Sequence, residues 1–290
     1  MLLQRIITAS ILALLVVLAV FQLPSEYFSL VLGLIILVAA WEWSNLAGIR
    51  SPLKRGLLLL ALVLPMLGLH FWTYFLELIA QSFDWPEVRS YSGALEWLVI
   101  PPVLFWILAM ILIRSRPSEM LKLQMGTRYK ALIGWFVLLS AWLFLSRLRA
   151  IWGEGMVLYF LLLIWAADIA AYFIGKKYGQ TKLSPEISPG KTVAGMYGAL
   201  IAGVVCAVAL SLFYGYNFMI ASDFILLSVL TVLVSIYGDL FFSLAKRQRG
   251  VKDSGSILPG HGGILDRIDS LIAAAPFFYA GIFLMSGLVA

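Results

Sequence analysis

The sequence predicts an all-α integral membrane protein, a polytopic helical bundle, and three observations carry that expectation. Its 290 residues are 62% hydrophobic and only 12% charged, with a mean hydropathy of +0.97, more apolar than a soluble core requires. Stretches long enough to cross about 30 Å of hydrocarbon, roughly 20 residues each, recur along the whole chain. The basic residues collect in alternate loops between them. Little sequence is left over for a separate soluble domain.

Nine stretches meet the length requirement: 6–23, 28–46, 56–77, 95–113, 131–146, 156–175, 193–214, 218–241 and 270–289. The first follows Arg5 as a signal peptide would. The run is long, however, and Gln22-Leu23-Pro24-Ser25 offers no small-x-small cleavage site, so it reads as a retained helix. The lone Cys206 lies inside the seventh stretch, where it reads as a packing residue and rules out an intrachain disulfide. With the amino terminus in the cytoplasm, 18 of the 21 Lys+Arg fall in inside segments, and only Arg89, Arg147 and Arg149 fall outside. That split predicts nine transmembrane helices in an N-in/C-out topology. The net charge of +6 then lies at the cytoplasmic surface, facing anionic headgroups or nucleotides.

Polar residues are distributed unevenly along the chain. Residues 1–150 carry few ionisable groups within their spans and read as a transmembrane scaffold, with room for a lipid cavity. Glu42, between Trp41 and Trp43, reads as an interfacial group. Residues 151–290 carry polar groups inside the spans and read as the catalytic region. No internal repeat relates the halves, so the inverted-repeat design of many transporters is not supported.

Three segments hold the chemistry, and the expected topology puts all of them at the cytoplasmic side. Asp168 lies about two turns before the end of the sixth stretch, with Tyr172 on its face at i+4. A carboxylate there is costly without a partner or water, and a structural Asp bonded to Tyr172 is the plain alternative to a site. Ser188-Pro189-Gly190-Lys191-Thr192 opens the seventh stretch, and a helix start favours an anion, so Lys191 and Thr192 are candidates to hold a phosphate. The Gly-Lys-Thr triplet is not a phosphate-binding P-loop, because position 185, where that motif needs glycine, is proline. The third segment runs from Gly238-Asp239 through Ser270. Asp266 and Asp269 are i,i+3 and share a helix face; with Asp239 they offer oxygen donors for a hard cation. Gly260-His261-Gly262-Gly263, after Pro259, predicts a tight turn where backbone amides approach a ligand. His261 has no partner at zinc-ligand spacing, so it is expected to bond substrate or the turn. The plain alternative for this segment is a solvated loop with ion pairs among Lys252, Asp253, Arg267 and Asp269.

Taken in order, Ser243-x-x-Lys246-Arg247, Lys252-Asp253-x-Gly255 and Pro259-Gly-His261-Gly-Gly-x-x-Asp266-Arg267-x-Asp269-Ser270 resemble the signature of the phosphatidate cytidylyltransferases, the CDP-diacylglycerol synthases. Asp168, Tyr172 and Gly175, and Ser188 to Thr192, resemble that family's other recurrent segments in the same order. The resemblance is strong over about 165–275 and unspecific before it. It implies that CTP and phosphatidate give CDP-diacylglycerol and pyrophosphate with Mg²⁺, a second cation being left open. Asp239, Asp266, Asp269 and Asp168 are then the expected metal residues. Asp239, Lys246, Lys252, Asp253, His261 and Arg267 are the expected catalytic residues, and Ser188, Lys191, Thr192, Arg247 and Tyr172 the expected substrate contacts. The implied partners are CTP, phosphatidate and membrane lipids, with no nucleic acid; a homodimer is left open. The implied location is a bacterial-type inner membrane, with the active site facing the cytoplasm. One position departs from the pattern: the family usually carries a glutamate where Phe242 stands. Alternatives left open are another lipid phosphate such as an isoprenoid one, a weakly active or silent relative, and, at a distance, a cation-coupled transporter.

Overall fold

The computed structural model describes residues 2–258 and 262–289. Helices α1 (Leu2–Gln22), α2 (Ser25–Leu46), α3 (Pro52–His70) and α4 (Trp72–Ser82) come first. A 3₁₀ segment (Pro86–Gly93) leads to α5 (Ala94–Trp97), α6 (Ile100–Ser115) and α7 (Pro117–Lys122). The long α8 (Thr127–Tyr178) is followed by a hairpin of β1 (Lys182–Ser184) and β2 (Ser188–Thr192). Three more helices, α9 (Val193–Tyr214), α10 (Phe218–Arg249) and α11 (Leu265–Val289), complete the chain. Among the described residues, 7 helical segments are long and apolar enough to cross a membrane, and Ser10–Gln22 of α1 is a shorter apolar one. The chain is an all-α polytopic membrane protein.

All nine apolar stretches fall on helix, but their edges move where local chemistry intervenes. The stretch 56–77 breaks at Phe71 into α3 and α4. The stretch 95–113 enters through short helical turns before α6 begins at Ile100. The stretches 131–146 and 156–175 are two arms of α8, which is 52 residues long and non-helical at Gly153, where φ is 78° and ψ is −174°. Straight, such a helix would be about 78 Å long, far beyond one crossing. Ala141 and Leu145 of the first arm line the same groove as Val157 and Leu161 of the second, so the chain doubles back at Gly153. That backbone conformation is essentially confined to glycine.

The centre of the molecule is α2, the two arms of α8, α9, α10 and α11. Glycine lets α9 lie against both neighbours: Gly195 meets the Ala171 carbonyl of α8, and Gly203 meets Ser228 and Val232 of α10. The small residues of α9 therefore pack within the chain. Two buried indoles satisfy their N–H groups on backbone carbonyls, Trp142 Nε1 donating to Ser29 O at 2.9 Å and Trp43 Nε1 to Lys130 O at 2.9 Å. These bonds fix α2 to the first arm of α8. They also satisfy the requirement that polar groups in hydrocarbon find partners within the protein.

The hairpin corrects one expectation. Ser188 to Thr192 is a strand paired with β1, not the first turn of a helix, and Ser188 and Pro189 lie several residues before α9 begins. Fully buried Ile187 anchors the turn between the strands. Thr192 alone plays the helix-start role, its hydroxyl accepting from Gly195 N at 3.1 Å as the α9 cap.

A Cβ at Gly153 would meet nothing within 4 Å, so its cost is conformational alone. Gly153→Ala is expected to destabilise the protein by about 1–3 kcal/mol. Gly56→Ala, at an open helical position, should be neutral or stabilising. Thermal unfolding of the two variants in detergent measures the difference.

Candidate active site

The site is built where α10 ends and α11 begins. Gly250 closes α10 in a left-handed conformation, with φ of 75°. The chain then loops through 251–264; on either side of residues 259–261, Leu258 N donates to Gly262 O at 2.9 Å. His261, with Pro259 and Gly260, lies outside the described residues.

What holds this loop is Glu42 of α2, only 1% exposed. Its carboxylate accepts from Ser254 Oγ at 3.0 Å, Ile264 N at 3.1 Å and Leu265 N at 2.8 Å. The two amides belong to the start of α11, where a helix leaves N–H groups unpaired and its dipole favours negative charge. Gly255 and Gly263 pass so close that a side chain at either would press on the carboxylate. Glu42 is therefore an internal anchor, not the interfacial group expected from its flanking tryptophans.

With its start fixed, α11 presents two acids, Asp266 and Asp269, and one base, Arg267. Asp266 Oδ1 accepts from Lys246 Nζ at 2.7 Å, and its Oδ2 accepts from Ser254 N at 2.9 Å and Gly263 N at 3.0 Å. Both oxygens are thus engaged within the protein. Asp239 of α10 pairs through Oδ2 with Lys191 Nζ of β2 at 2.7 Å and accepts from Ser243 Oγ at 3.1 Å. Lys191 also donates to the Ile236 carbonyl at 3.2 Å. Asp269 is 8% exposed and accepts from the adjacent Ser270 N at 2.9 Å. Gly238 brings α10 against the Asp269 carbonyl and Ala273 of α11, which sets the two aspartates side by side.

A cavity of about 450 Å³ opens among these groups, lined by Trp165 and Asp168 of α8, Asp239 and Lys246 of α10, Asp253 of the loop, and Asp266, Arg267, Asp269 and Ser270 of α11. The structure brings together Asp168, Asp239, Lys246, Asp253, Asp266, Arg267 and Asp269, with Lys191 at the edge. It does not bring in the others. Tyr172 is 61% exposed and packs on Phe173 and Lys176, so it is no partner of Asp168. Lys252 is exposed and away from the cavity wall. Arg247 donates to the Ile187 carbonyl at 3.3 Å and the Val251 carbonyl at 3.3 Å, tethering the hairpin. Ser188 is half-buried in β2, and Thr192 is used as a cap. Two ion pairs stand at the cavity, Lys191–Asp239 and Lys246–Asp266. Glu42 and Trp165 carry no local sequence signal for these places.

The carboxylates on the wall are oxygen donors of the kind a hard divalent cation takes. Carboxylates outnumber cationic groups on the wall, and an anionic phosphate entering such a cavity needs further positive charge. Among the described residues, no group of three or more His, Cys, Asp or Glu is placed to hold a metal ion. A cation here would complete its shell with water or phosphate oxygens, the usual habit of Mg²⁺.

Phe242 is not on this wall. It is 1% exposed and packs edge-on against Trp43 at 5.6 Å and Phe241 at 5.4 Å, with Trp106 at 6.4 Å. The departure from the family pattern falls in an aromatic cluster, outside the cavity.

A polar cavity of carboxylates and paired lysines at one end of an apolar helical bundle defines a membrane enzyme of phosphate chemistry. Residues 3–285 match the model of the cytidylyltransferase family, and the chain belongs to that family. It is 37% identical over 289 residues to the phosphatidate cytidylyltransferase of Haemophilus influenzae, covering 96% of this chain and 97% of that one. It is 38% identical over 283 residues to the protein of that name from Pseudomonas aeruginosa, covering 97% and 96%. A shorter match of 131 residues to the Bacillus subtilis phosphatidate cytidylyltransferase is 44% identical and covers 44% of this chain and 47% of that one.

Removing the Glu42 carboxylate leaves two amides and a hydroxyl without their acceptor, each hydrogen bond to a charged group being worth about 1.5–3 kcal/mol. Glu42→Ala should lower the thermal midpoint by about 10 °C or more, read by unfolding in detergent. Phe242→Glu should destabilise the fold through an unpaired buried carboxylate. Phe242→Leu should retain most of the stability, and the two midpoints compared give the answer.

Proposed function

We propose that this cytidylyltransferase takes phosphatidate as its acceptor, transferring the cytidylyl group of CTP to it and releasing pyrophosphate. An oxygen of the lipid phosphate attacks the α-phosphorus of CTP, and the bond from that phosphorus to the β-phosphate bridging oxygen breaks on the opposite side. The new P–O–P linkage is that of CDP-diacylglycerol, and the leaving group departs as pyrophosphate. Such transfers need positioning and charge neutralisation more than a covalent nucleophile.

The observation that carries the reading is the placement of the cavity. Its walls are the carboxy-terminal parts of α8 and α10 and the start of α11, so a membrane lipid and a water-soluble nucleotide can meet there. Asp239, Asp269 and Asp168 would hold Mg²⁺, which supplies positive charge to the triphosphate. Arg267 offers a planar fork to a phosphate. Lys246 is held at a fixed point by Asp266, whose part is positioning. Lys191 faces a choice between Asp239 and an arriving phosphate, so phosphate binding and the freeing of an Asp239 oxygen are coupled. Asp253 borders the cavity from the loop. In this reading nine crossings leave the amino terminus and the site on the cytoplasmic side of a bacterial inner membrane, supported by the distribution of Lys and Arg.

The test is transfer of labelled CTP into lipid by purified protein with phosphatidate and Mg²⁺. Label is expected in CDP-diacylglycerol, falling about 100-fold or more in Asp269→Asn and disappearing without divalent cation. Labelling of a different lipid phosphate, with none of phosphatidate, would overturn the assignment of substrate.

A further inference from the structure

A second cavity adjoins the first and has the opposite character. It is a groove between α1, α2, both arms of α8 and α11, lined only by Val, Ala, Phe, Leu and Ile side chains. Its floor is buried: Ile36, Val157, Leu161, Ile272 and Ala275 are each at most 4% exposed. Its rim is open, with Val31 of α2 38% exposed toward the bundle exterior.

Two helices run from this groove straight into the polar cavity. On the second arm of α8, Leu161 lines the groove, while Trp165 and Asp168, one and two turns on, line the cavity. On α11, Leu271 lines the groove one turn below Arg267, and Ile268 lines it beside Asp269. One end of a ligand lying along this seam meets carboxylates and a guanidinium; the other meets hydrocarbon alone. From Ile268 to Ala275 the apolar wall extends about 10 Å along the helix.

We infer that this groove seats an acyl chain of the lipid phosphate substrate, its phosphate lying in the polar cavity and its chain entering between α1 and α2. The inference rests on the proposed lipid acceptor and adds where that lipid lies. The groove then contributes to discrimination between long-chain and short-chain substrates, a property the polar cavity cannot supply.

Two measurements test it. In the first, kcat/KM is compared for long-chain and six-carbon-chain phosphatidates in mixed micelles, with Leu32→Trp on the rim and Ala275→Phe on the floor. The preference for the long chain is expected to fall about tenfold in either variant, chiefly through KM. An unchanged preference in folded Leu32→Trp sinks the inference, while transfer to phosphatidate itself still stands. The second uses the unmodified protein and a phosphatidate with a photoreactive group midway along its acyl chain. Crosslinks on α1, α2 and α11 residues of the groove that excess long-chain phosphatidate displaces support it. Crosslinks spread over the outer helix faces and not displaced identify ordinary bilayer lipid and overturn it. This second readout needs no turnover, so it separates failure of the groove from failure of the proposed reaction.

Discussion

The carboxylate of Glu42, sealed from solvent and bonded to the first amides of α11, is the constraint from which the rest of the site follows. A buried charge whose donors are one hydroxyl and two backbone amides survives because a helix start supplies both unpaired N–H groups and a favourable dipole. That fixes where α11 begins, hence where Asp266 and Asp269 stand. Asp266 in turn gathers Ser254, Gly263 and Lys246, so the loop and the end of α10 are drawn onto the same point. An amino-terminal helix, α2, thereby positions the start of α11 near the carboxy-terminal end of the chain.

The two ion pairs at the cavity act in the same manner. Burying charges costs desolvation that their attraction barely repays, so Lys191–Asp239 and Lys246–Asp266 add little stability. Their effect is geometric: each fixes a cation that comes from one element by an acid from another, β2 to α10 and α10 to α11. The hairpin is the means by which Lys191 reaches the site. Ile187 is buried at its turn, and Arg247 holds its backbone.

Helix periodicity and charge made much of this legible. Because a crossing needs a length and composition that few other elements share, hydropathy placed the apolar stretches on helix, but it did not separate α3 from α4. Asp239, Asp266 and Asp269 were readable because acids in apolar helices are rare and costly, and the i,i+3 spacing of the last two places them on one face. Glu42 was not readable, since its partners lie more than 200 residues away. Its neighbours Trp41 and Trp43 suggested an interface, and only packing shows that Trp43 turns inward. Tyr172 illustrates the converse: its spacing from Asp168 is right for a shared face, yet the ring turns outward onto Phe173 and Lys176. The strand at Ser188–Thr192 was hidden by Pro189, which suits a helix start equally well as an edge strand.

The length of α10 has a bearing on the medium in which the enzyme works. At 32 residues it is about 48 Å long, some 18 Å more than the hydrocarbon it crosses. Counted from its apolar start at Phe218, Asp239 lies about 32 Å along, level with the far boundary of the hydrocarbon, and Lys246 stands about 10 Å higher. In a crossing that begins at Phe218, the helix would act as a depth gauge that holds Asp239 near the plane of the lipid phosphates. A thicker or thinner bilayer would move that plane relative to the gauge, and the protein would have to tilt or deform its surroundings to restore the alignment. On the proposed reaction, a mismatch between α10 and the bilayer would then bear on access to the lipid substrate.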